Sequence, residues 1–587
     1  MKRTRLFPKL IFVAGAFLCA GFANGDFARA GQASKVGDGL AEKRPGDYAA
    51  RLAAARAALG AEHWEEAARL ARGPAEQAAE FDYIAGLALA KLERWEEARA
   101  ALEAGRAKAP GDARFPTELA GVAYKQHDFA LAKSDLRAAL RLNPSDAYAR
   151  EFLGTLYFLD GNLPAALKYW NAAGKPRLGA VVFSPEPRLK ARLLGEAAAF
   201  NAPQVLTEEA LRESDARLGL LGIFPQRRVE LAPAGGEAYN ATLHLAERNG
   251  FGDSWLEGLL STLSGVGYET VYPEYSNFRG EAINFAGLAR WDAQKRRFGG
   301  ELSGPLWNDA TKRGRIYFDA RNENWNLTET FSGAGTPVSD LNLRRMAGGV
   351  EFQSLAGANW SWNAGIEAAS REFLNAPASA TDAEKKFFAD TSSLAVSLGA
   401  TRSLVRVPES RFEVNGAAEV RAGRYFAVDS GAFASARGAL KATWYPRAKG
   451  DDWQMQARLR AGAIAGAATL DDLFQLGVER DNDLWLRGQR GTIDGRKGAA
   501  PLGRQFVLAN FEIDKNIFNN GFFDVKLGPF FDTGATADSS RLFGSNGWQA
   551  DAGAQCKVRV LHSVTVVLIY GRDLRAGRNL FFPTTLH

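Results

Sequence analysis

The sequence predicts a protein of three folded parts: an α-helical repeat solenoid, a small α+β domain and a C-terminal transmembrane antiparallel β-barrel. Three observations predict this fold class. Alanine-rich helical patterns repeat at a fixed period up to residue 176, a short strand–helix–strand–strand pattern occupies 178–248, and alternating apolar and polar residues fill 251–587. A chain of 587 residues is also too long for a single hydrophobic core.

The first thirty residues are typical of a cleaved secretory signal peptide. Basic residues precede an apolar run from Leu10 to Ala23, and Ala28-Arg29-Ala30 supplies the small residues that signal peptidase requires. The run is too short to span a membrane, and no later stretch has eighteen consecutive apolar residues, so membrane residence would require a barrel. The expected domains are 1–30, 45–176, 178–248 and 251–587.

Charge and cysteine content exclude several classes of protein. The formal net charge is +6, but the predicted signal peptide carries +4 of it, so we expect no nucleic-acid partner. Cys19 lies in the signal peptide, which leaves Cys556 alone in the mature chain. A disulfide framework and a cysteine-based zinc site are therefore excluded, and no metal or cofactor is expected.

Residues 45–176 repeat with a period of 34, as the positions of Ala98, Ala132 and Ala166 show. The signature positions are Gly86, Ala98, Pro110, Ala132, Pro144, Gly154 and Ala166. Small residues let two antiparallel helices approach closely, and proline ends the second helix of a unit. The pattern resembles the tetratricopeptide repeat, which implies a groove that recruits a client or accessory protein. A generic alanine-rich bundle is the alternative.

The stretch 178–248 reads as a small α+β domain. An apolar strand at 180–183 precedes a helix that Thr207 caps, and two further strands lie near Val229 and over 239–245. The stretch around Leu218, Gly222-Ile223-Phe224 and the closing 245–252 resembles a POTRA domain, the periplasmic module that precedes surface-antigen barrels. Any other small α+β module fits the strand order alone.

From residue 251 onward, apolar residues alternate with charged or polar ones in short stretches separated by turn residues. Ile316, Phe318 and Ala320, for example, alternate with Tyr317 and Asp319. One apolar and one charged face, sustained over this length with aromatic residues at segment ends, is the pattern of a transmembrane barrel with a polar lumen. A soluble β-sandwich alternates too, but rarely runs this long as one unit.

Near the C-terminus, the chain resembles the BamA/TamA family of outer-membrane assembly and translocation barrels, also called bacterial surface antigens. The matching residues are Leu486, Arg487, Gly488, Phe531, Asp532 and Gly534. The first three stand at the family's hydrophobic-Arg-Gly-aromatic loop tip, and the others stand in its aspartate-containing strand. With the POTRA-like unit, the resemblance covers 178–587. It implies sixteen strands and a location in the bacterial outer membrane, with the N-terminal domains in the periplasm.

The resemblance also implies a contact between Arg487 and Asp532. Strand alternation places Asp532 in the lumen, where a guanidinium from an inward-folded loop can hold its carboxylate through two hydrogen bonds. Without the resemblance, Arg487 would be read as a solvated loop arginine. Two departures stand out: Gln489 replaces the family's aromatic residue, and 583–587 follow the terminal aromatic residues.

No enzyme is indicated, because the sequence has no nucleophile elbow, phosphate-binding loop or His-Glu-x-x-His helix. The leading hypothesis is insertion or translocation of polypeptides at the outer membrane, with lipid, client polypeptides or a periplasmic accessory protein as partners. The alternatives are a polysaccharide or lipid exporter of the repeat-plus-barrel type, and a scaffold whose barrel is plugged.

Overall fold

The computed structural model describes residues 45–72, 78–236, 238–252, 255–331, 338–378, 380–426, 431–538, 542–543, 547–560 and 564–586. The predicted signal peptide and Cys19 lie outside these ranges. Within them, no helix has the length and apolar character needed to cross a membrane. The chain divides into two compact units, one ending at Lys108 and the other beginning at Ala109.

The first unit consists of antiparallel helix pairs. Its helices are α1 (Pro45–Gly60), α2 (Trp64–Ala71), α3 (Ala79–Lys91) and α4 (Trp95–Lys108). The signature residue Gly86 lies on α3 directly against Leu102 of α4: a Cβ at Gly86 would stand 2.4 Å from Leu102 Cγ. Ala98 and Leu102 are fully buried. The small residue at this position therefore sets the spacing of the pair.

The second unit begins with two more helix pairs. Their helices are α5 (Arg114–Lys125), α6 (Phe129–Leu142), α7 (Ala147–Leu159) and α8 (Leu163–Trp170). Gly154 of α7 faces Trp170 of α8, where a Cβ would lie 2.4 Å from Trp170 Cδ1. Ala132 and Ala166 are fully buried, and Pro144 follows the end of α6 by two residues. A small residue therefore also sets the spacing between α7 and α8.

A small α+β region follows the helices. Its elements are β1 (Arg177–Ser184), α9 (Ala191–Ala197), α10 (Glu208–Leu220), β2 (Gln226–Gly235) and β3 (Ala238–Ala246). The sheet order is β1-β3-β2, with β1 parallel and β2 antiparallel to β3. Thr207 caps α10 by accepting a hydrogen bond from the Ala210 N–H at 3.0 Å. The sequence pattern predicts one helix here, whereas the structure has two, because the short helix α9 lacks a clear period.

One hydrophobic core joins the last helices to this region. Trp170 of α8 packs at 5.7 Å, centroid to centroid, against Tyr239 of β3, and both helices and sheet contribute buried leucines to the same cluster. The expected boundary between 176 and 178 therefore does not separate two independent cores.

The rest of the chain forms one large antiparallel sheet. Helix α11 (Trp255–Leu263) comes first. The strands that follow are β4 (Thr270–Val271), β5 (Glu274–Phe278), β6 (Ile283–Arg290), β7 (Lys295–Pro305), β8 (Lys312–Trp325), β9 (Leu341–Leu355) and β10 (Trp360–Leu374). After the one-turn helix α12 (Asp382–Lys385) come β11 (Thr391–Val407), β12 (Phe412–Tyr425), β13 (Ala432–Trp444) and β14 (Trp453–Gly466). After a long loop come β19 (Gln505–Asn519), β20 (Phe523–Ala537), β21 (Gln549–Val560), β22 (Val564–Asp573) and β23 (Asn579–Leu586). Four further two-residue strands lie inside that loop: β15 (Phe474–Gln475), β16 (Thr492–Ile493), β17 (Arg496–Lys497) and β18 (Leu502–Gly503).

The first and last strands, β4 and β23, are neighbours in the strand order, and the side of the sheet that carries the charged side chains is here called the lumen. Among the described residues the sheet has 18 strands, counting the loop hairpin β16–β17 and the short β4 and β5. This differs from the expected sixteen, and helix α11 stands where 251–587 was expected to begin with barrel strands. The last strand extends through Leu586, past the terminal aromatic residues Phe581 and Phe582.

Candidate functional site: the lumen loop

The long connection between β14 and β19, residues 467–504, folds back into the lumen and is here called the lumen loop. Its apolar residues are buried: Leu476, Leu486 and Leu502 are each fully covered. The loop is organised by two short strand pairs, 474–475 with 502–503 and 492–493 with 496–497. Its charged side chains contact three separate sectors of the wall.

The first sector receives Arg487. The guanidinium donates two parallel hydrogen bonds to Asp532 of β20, from Nε to Oδ2 at 2.8 Å and from Nη2 to Oδ1 at 2.7 Å. The backbone N–H of Arg487 also donates to Asp532 Oδ2 at 3.0 Å, and Asn510 Nδ2 donates to Oδ1 at 2.7 Å. Asp532 is fully buried and Arg487 is 5% exposed. Such a charge-assisted pair fixes both distance and orientation.

Arg487 has further partners on neighbouring strands. Its Nη1 donates to Glu512 of β19 at 2.9 Å and to Gln555 of β21 at 2.8 Å. The guanidinium carbon lies 4.0 Å from the ring centroid of Phe530, in cation–π contact. One loop residue thus holds three adjacent strands of the wall.

Gly488 and Gln489 complete this anchor. The Gly488 N–H donates to Asp551 Oδ2 at 2.8 Å, and a Cβ at Gly488 would stand 2.7 Å from Asp551 Cγ. Gln489, which is 9% exposed, donates from Nε2 to Asp551 Oδ1 at 3.1 Å. The residue that replaces the family's aromatic therefore adds a hydrogen bond to the wall.

The remaining predicted site residues occupy distinct positions. Leu486 is fully buried at the turn that the Gln489 N–H closes on its carbonyl oxygen at 3.0 Å. Phe531 points outward from the wall and is 41% exposed. Gly534 makes a close backbone contact, because a Cβ there would lie 2.6 Å from the carbonyl oxygen of Val507.

The second sector is a cluster that sequence reasoning missed. Asp481 of the loop accepts from Arg290 Nη1 at 2.7 Å and from Arg297 Nη1 at 2.8 Å, and it lies 3.2 Å from Lys497 Nζ. Lys497 in turn donates to Glu323 at 2.6 Å. These contacts join the loop to β6, β7 and β8.

The third sector is bound by the start of the loop. Asp471 accepts from Arg371 Nε at 2.9 and 2.8 Å through its two carboxylate oxygens. The neighbouring Asp472 accepts from Arg421 Nη1 at 3.4 Å and is hydrogen-bonded by Tyr425. No sequence signal pairs these residues, since the partners lie 47 to 100 positions apart.

The loop also contacts both ends of the sheet, at the junction between β4 and β23, here called the seam. The Arg480 guanidinium carbon lies 4.1 Å from the ring centroid of Tyr268 and 5.0 Å from that of Phe582. Tyr268 and Thr585 are hydrogen-bonded through their hydroxyl groups. Because β4 is two residues long, the seam has a short strand on one side, and Arg480 bridges it from the lumen.

Among the residues that the structure describes, no three His, Cys, Asp or Glu side chains are placed to hold a metal ion. The site consists of a buried loop whose charged side chains are paired with the wall.

Comparisons with known proteins give limited information. No family model and no curated protein matches the chain. The chain is similar to the solved structure of BamA from Haemophilus ducreyi lacking POTRA domains 1–3, at 11% identity over 69% of this chain and 83% of that one, with a TM-score of 0.39.

Two further similarities, each over a smaller part of the chain, are to structures of MamA. A structure of MamA is 20% identical over 22% of this chain and 77% of that one, and a MamA RS-1 ArsTM double mutant is 19% identical over 22% and 74%; both have a TM-score of 0.21. At these TM-scores and identities, none of the three carries an argument about function.

Proposed function

We propose that this protein is a non-enzymatic outer-membrane β-barrel that inserts or translocates polypeptides, with residues 45–248 in the periplasm. The observation that carries the proposal is the lumen loop, which is anchored to Asp532 by Arg487 and reaches the seam through Arg480. A loop that contacts both sides of the junction between β4 and β23 is placed to control whether that junction opens.

The outward face of the wall supports a membrane location. Residues paired across consecutive strands form an apolar row on the outside of the sheet, with exposed fractions of 43 to 61%. The row consists of Phe285, Leu302, Ile316, Val350, Ile366 and Val396. A soluble protein would bury such a row, whereas a transmembrane barrel presents it to lipid.

The seam supports a route for client strands. The junction combines the two-residue strand β4 with the eight-residue strand β23, the Tyr268–Thr585 hydrogen bond and the Arg480 contacts. The edge of a strand that is longer than its neighbour is a place where another chain can add by β-augmentation. In this proposal, release of Arg480 frees the edge of β23 for a client.

The periplasmic modules have matching features. The α+β region has one helix more than the strand–helix–strand–strand order expected for a POTRA-like domain, and its β2 is an edge strand. Several contacts attach the region to the barrel. Among them, the Lys190 N–H donates to the Gly280 carbonyl oxygen at 2.8 Å, Lys190 Nζ is paired with Glu281, and Asn284 Nδ2 donates to the Leu221 carbonyl oxygen at 2.9 Å. In this proposal a client strand adds to β2 before it passes to the barrel.

The last repeat helix is also joined to a barrel turn. Asn162 Nδ2 donates to the Pro408 carbonyl oxygen at 2.8 Å, and Lys168 and the Tyr169 hydroxyl donate to Glu409 at 2.5 and 2.9 Å. We propose that a client or accessory protein held by the repeats is delivered to the barrel through this junction.

The exporter alternative needs an open polar path through the lumen. The three loop–wall clusters described above place paired charges in part of that path, and no specific contact in the described residues favours a glycan. We therefore keep the polypeptide function as the proposal.

The experiment that tests the proposal is depletion of the protein, followed by quantitative proteomics of purified outer membranes and assay of released glycan from the same cultures. Loss of particular outer-membrane proteins with unchanged glycan is the expected result. Missing glycan with an unchanged protein profile would favour the exporter, and no change in either would favour a scaffold.

Complementation sharpens the experiment. The Asp532→Ala variant removes the partner of Arg487, whereas Asp483→Ala removes a loop carboxylate whose side chain is 79% exposed. The first variant should fail to restore the lost proteins and the second should restore them. Full restoration by Asp532→Ala would show that the loop anchor is not needed for assembly.

A further inference from the structure

Helix α11 has its polar and apolar faces reversed relative to a helix of a soluble protein. Trp255 is 79% exposed, and Leu259, Leu260 and Leu263 are 45, 39 and 44% exposed. The opposite face carries Glu257 and Ser261, each 6% exposed. A helix in water buries its apolar stripe and exposes its polar residues, which is the opposite of the arrangement in α11.

The helix is fixed to the wall through backbone hydrogen bonds. Before the helix, Gly250 and Ser276 exchange two hydrogen bonds of 2.8 Å each, and near its end the Tyr272 N–H donates to the Thr262 carbonyl oxygen at 2.9 Å. The carbonyl oxygen of Pro273 accepts from Gly287 of β6, on the other edge of the same strand segment. Helix α11 therefore runs along the edge of β4 and β5 that faces away from β6.

The outward face of α11 continues the apolar row of the wall. Phe251, just before the helix, packs edge-on against Tyr275 with ring centroids 5.0 Å apart. Tyr275 pairs with Phe285, the first residue of the row already described. The exposed leucines of the helix thus extend a surface that faces lipid in the proposed function.

The length and position of the helix fix its depth. Nine residues rise about 13 Å along a helix axis, roughly half of the apolar band of about 25 Å on a transmembrane barrel. The N-terminal end lies at the Gly250–Ser276 contact, near the hairpin that Lys190 binds from the α+β region. The helix therefore spans the leaflet nearest to that region.

We propose that α11 is a membrane-embedded helix in the barrel wall, whose Trp255, Leu259, Leu260 and Leu263 face contacts the acyl chains of the periplasmic leaflet at the edge of the first strands. The inference rests on the membrane location given under the proposed function. It assigns a lipid-contacting surface to a helix at a position where strand pairing alone would build the wall.

The test uses fluorescent labels and lipids that carry a quencher. Single cysteines are introduced at Leu259, at Ile316 on the outer wall and at Lys441 on the lumen side, each in a Cys556→Ala background, and labelled with a polarity-sensitive fluorophore. The proteins, without the predicted signal peptide and its Cys19, are reconstituted in lipid nanodiscs containing phospholipid with a nitroxide on the acyl chain. A difference in gel mobility between the unheated and the heated protein identifies folded barrels.

We expect the labels at Leu259 and Ile316 to be quenched to a similar degree, roughly threefold more than the label at Lys441, because lipid-facing and lumen-facing positions differ in access to acyl chains. Quenching at Ile316 without quenching at Leu259 would overturn the helix assignment and leave the membrane wall intact. Absence of quenching at both positions would overturn the membrane location itself, and the helix assignment with it.

Two further measurements test whether the Leu259 variant is misfolded and whether a second copy of the protein covers this face. A cysteine at Leu263 repeats the test one turn along the helix, for the case in which the Leu259 variant does not fold. Disulfide-linked dimers formed by either variant in nanodiscs would show that a second copy covers this face, and would also overturn the proposal.

Discussion

Substitution of Asp532 by alanine should release the lumen loop without unfolding the barrel. The carboxylate accepts four hydrogen bonds in the structure, three from Arg487 and one from Asn510. Breaking a buried ion pair costs about 3–5 kcal/mol, because the other charge is left without its partner. Since Glu512 and Gln555 still bind Arg487 Nη1, we take the lower value, about 3 kcal/mol.

A loss of about 3 kcal/mol raises the population of the released loop by roughly a hundredfold, at about 1.4 kcal/mol for each factor of ten. The assay is the rate of trypsin cleavage within the loop, beside the exposed Arg490, in protein reconstituted in nanodiscs. When opening and closing are fast relative to cleavage, this rate follows the population of the open form.

The matched control is Asp483→Ala in the same loop. The Asp483 side chain is 79% exposed and lies 3.3 Å from Arg460, and an exposed pair of this kind contributes at most about 1 kcal/mol. Cleavage of Asp532→Ala at the wild-type rate, with a folded barrel by gel mobility, would refute the assigned role of the Arg487–Asp532 pair.

Two other predictions follow from close contacts. Gly488→Ala should speed loop cleavage, because the added Cβ would stand 2.7 Å from Asp551 Cγ, whereas Gly438→Ala, where a Cβ meets nothing within 4 Å, should not; equal rates would argue against the contact. Although burial raises the pKa of Glu409, the hydrogen bond and charge of Lys168 lower it further, so the net pKa lies below its ordinary value. Glu409 therefore stabilises the junction above its ordinary pKa and loses this effect as pH falls through the lowered pKa. Glu409→Gln should weaken amide-exchange protection of α8 at pH 7 by no more than about 1 kcal/mol, and a change that persists in acid would contradict this reading.

The parts of the fold that local patterns encode were predictable. Alternation along β20 is enough to put Asp532 and Phe531 on opposite faces, and the structure has the first buried and the second 41% exposed. The 34-residue spacing likewise predicts that Gly86 and Gly154 lie where helices pack closely, which is where a Cβ would clash with Leu102 and Trp170. Periodicity and residue size alone carry this information.

Long-range pairing was not predictable. Asp481 and Arg290 are 191 residues apart, and nothing in either local sequence distinguishes them from the many other lumen charges. The helix α11 was missed for a different reason: its leucines read as the start of an alternating wall strand, and its buried Glu257 and Ser261 invert the usual amphipathic pattern. Which face of the helix points outward depends on its contact with the neighbouring strand and on the surrounding medium, and neither is encoded in the local sequence.

The seam is the part of the molecule on which the proposed function depends. Tyr268 and Thr585 are hydrogen-bonded across it, which makes them suitable positions for a reversible lock. In a Cys556→Ala background, cysteines at both positions can be joined by a short bismaleimide that contains a reducible disulfide. A control pair at Lys441 and Arg458, which are register partners on β13 and β14, locks the wall away from the seam.

The most direct test of the account is the assembly rate of those outer-membrane proteins that are lost on depletion, measured before and after reduction of the cross-linker. The account predicts that the locked seam stops assembly, that reduction restores it, and that the control lock has no effect. Assembly at the wild-type rate with the seam locked would contradict the account.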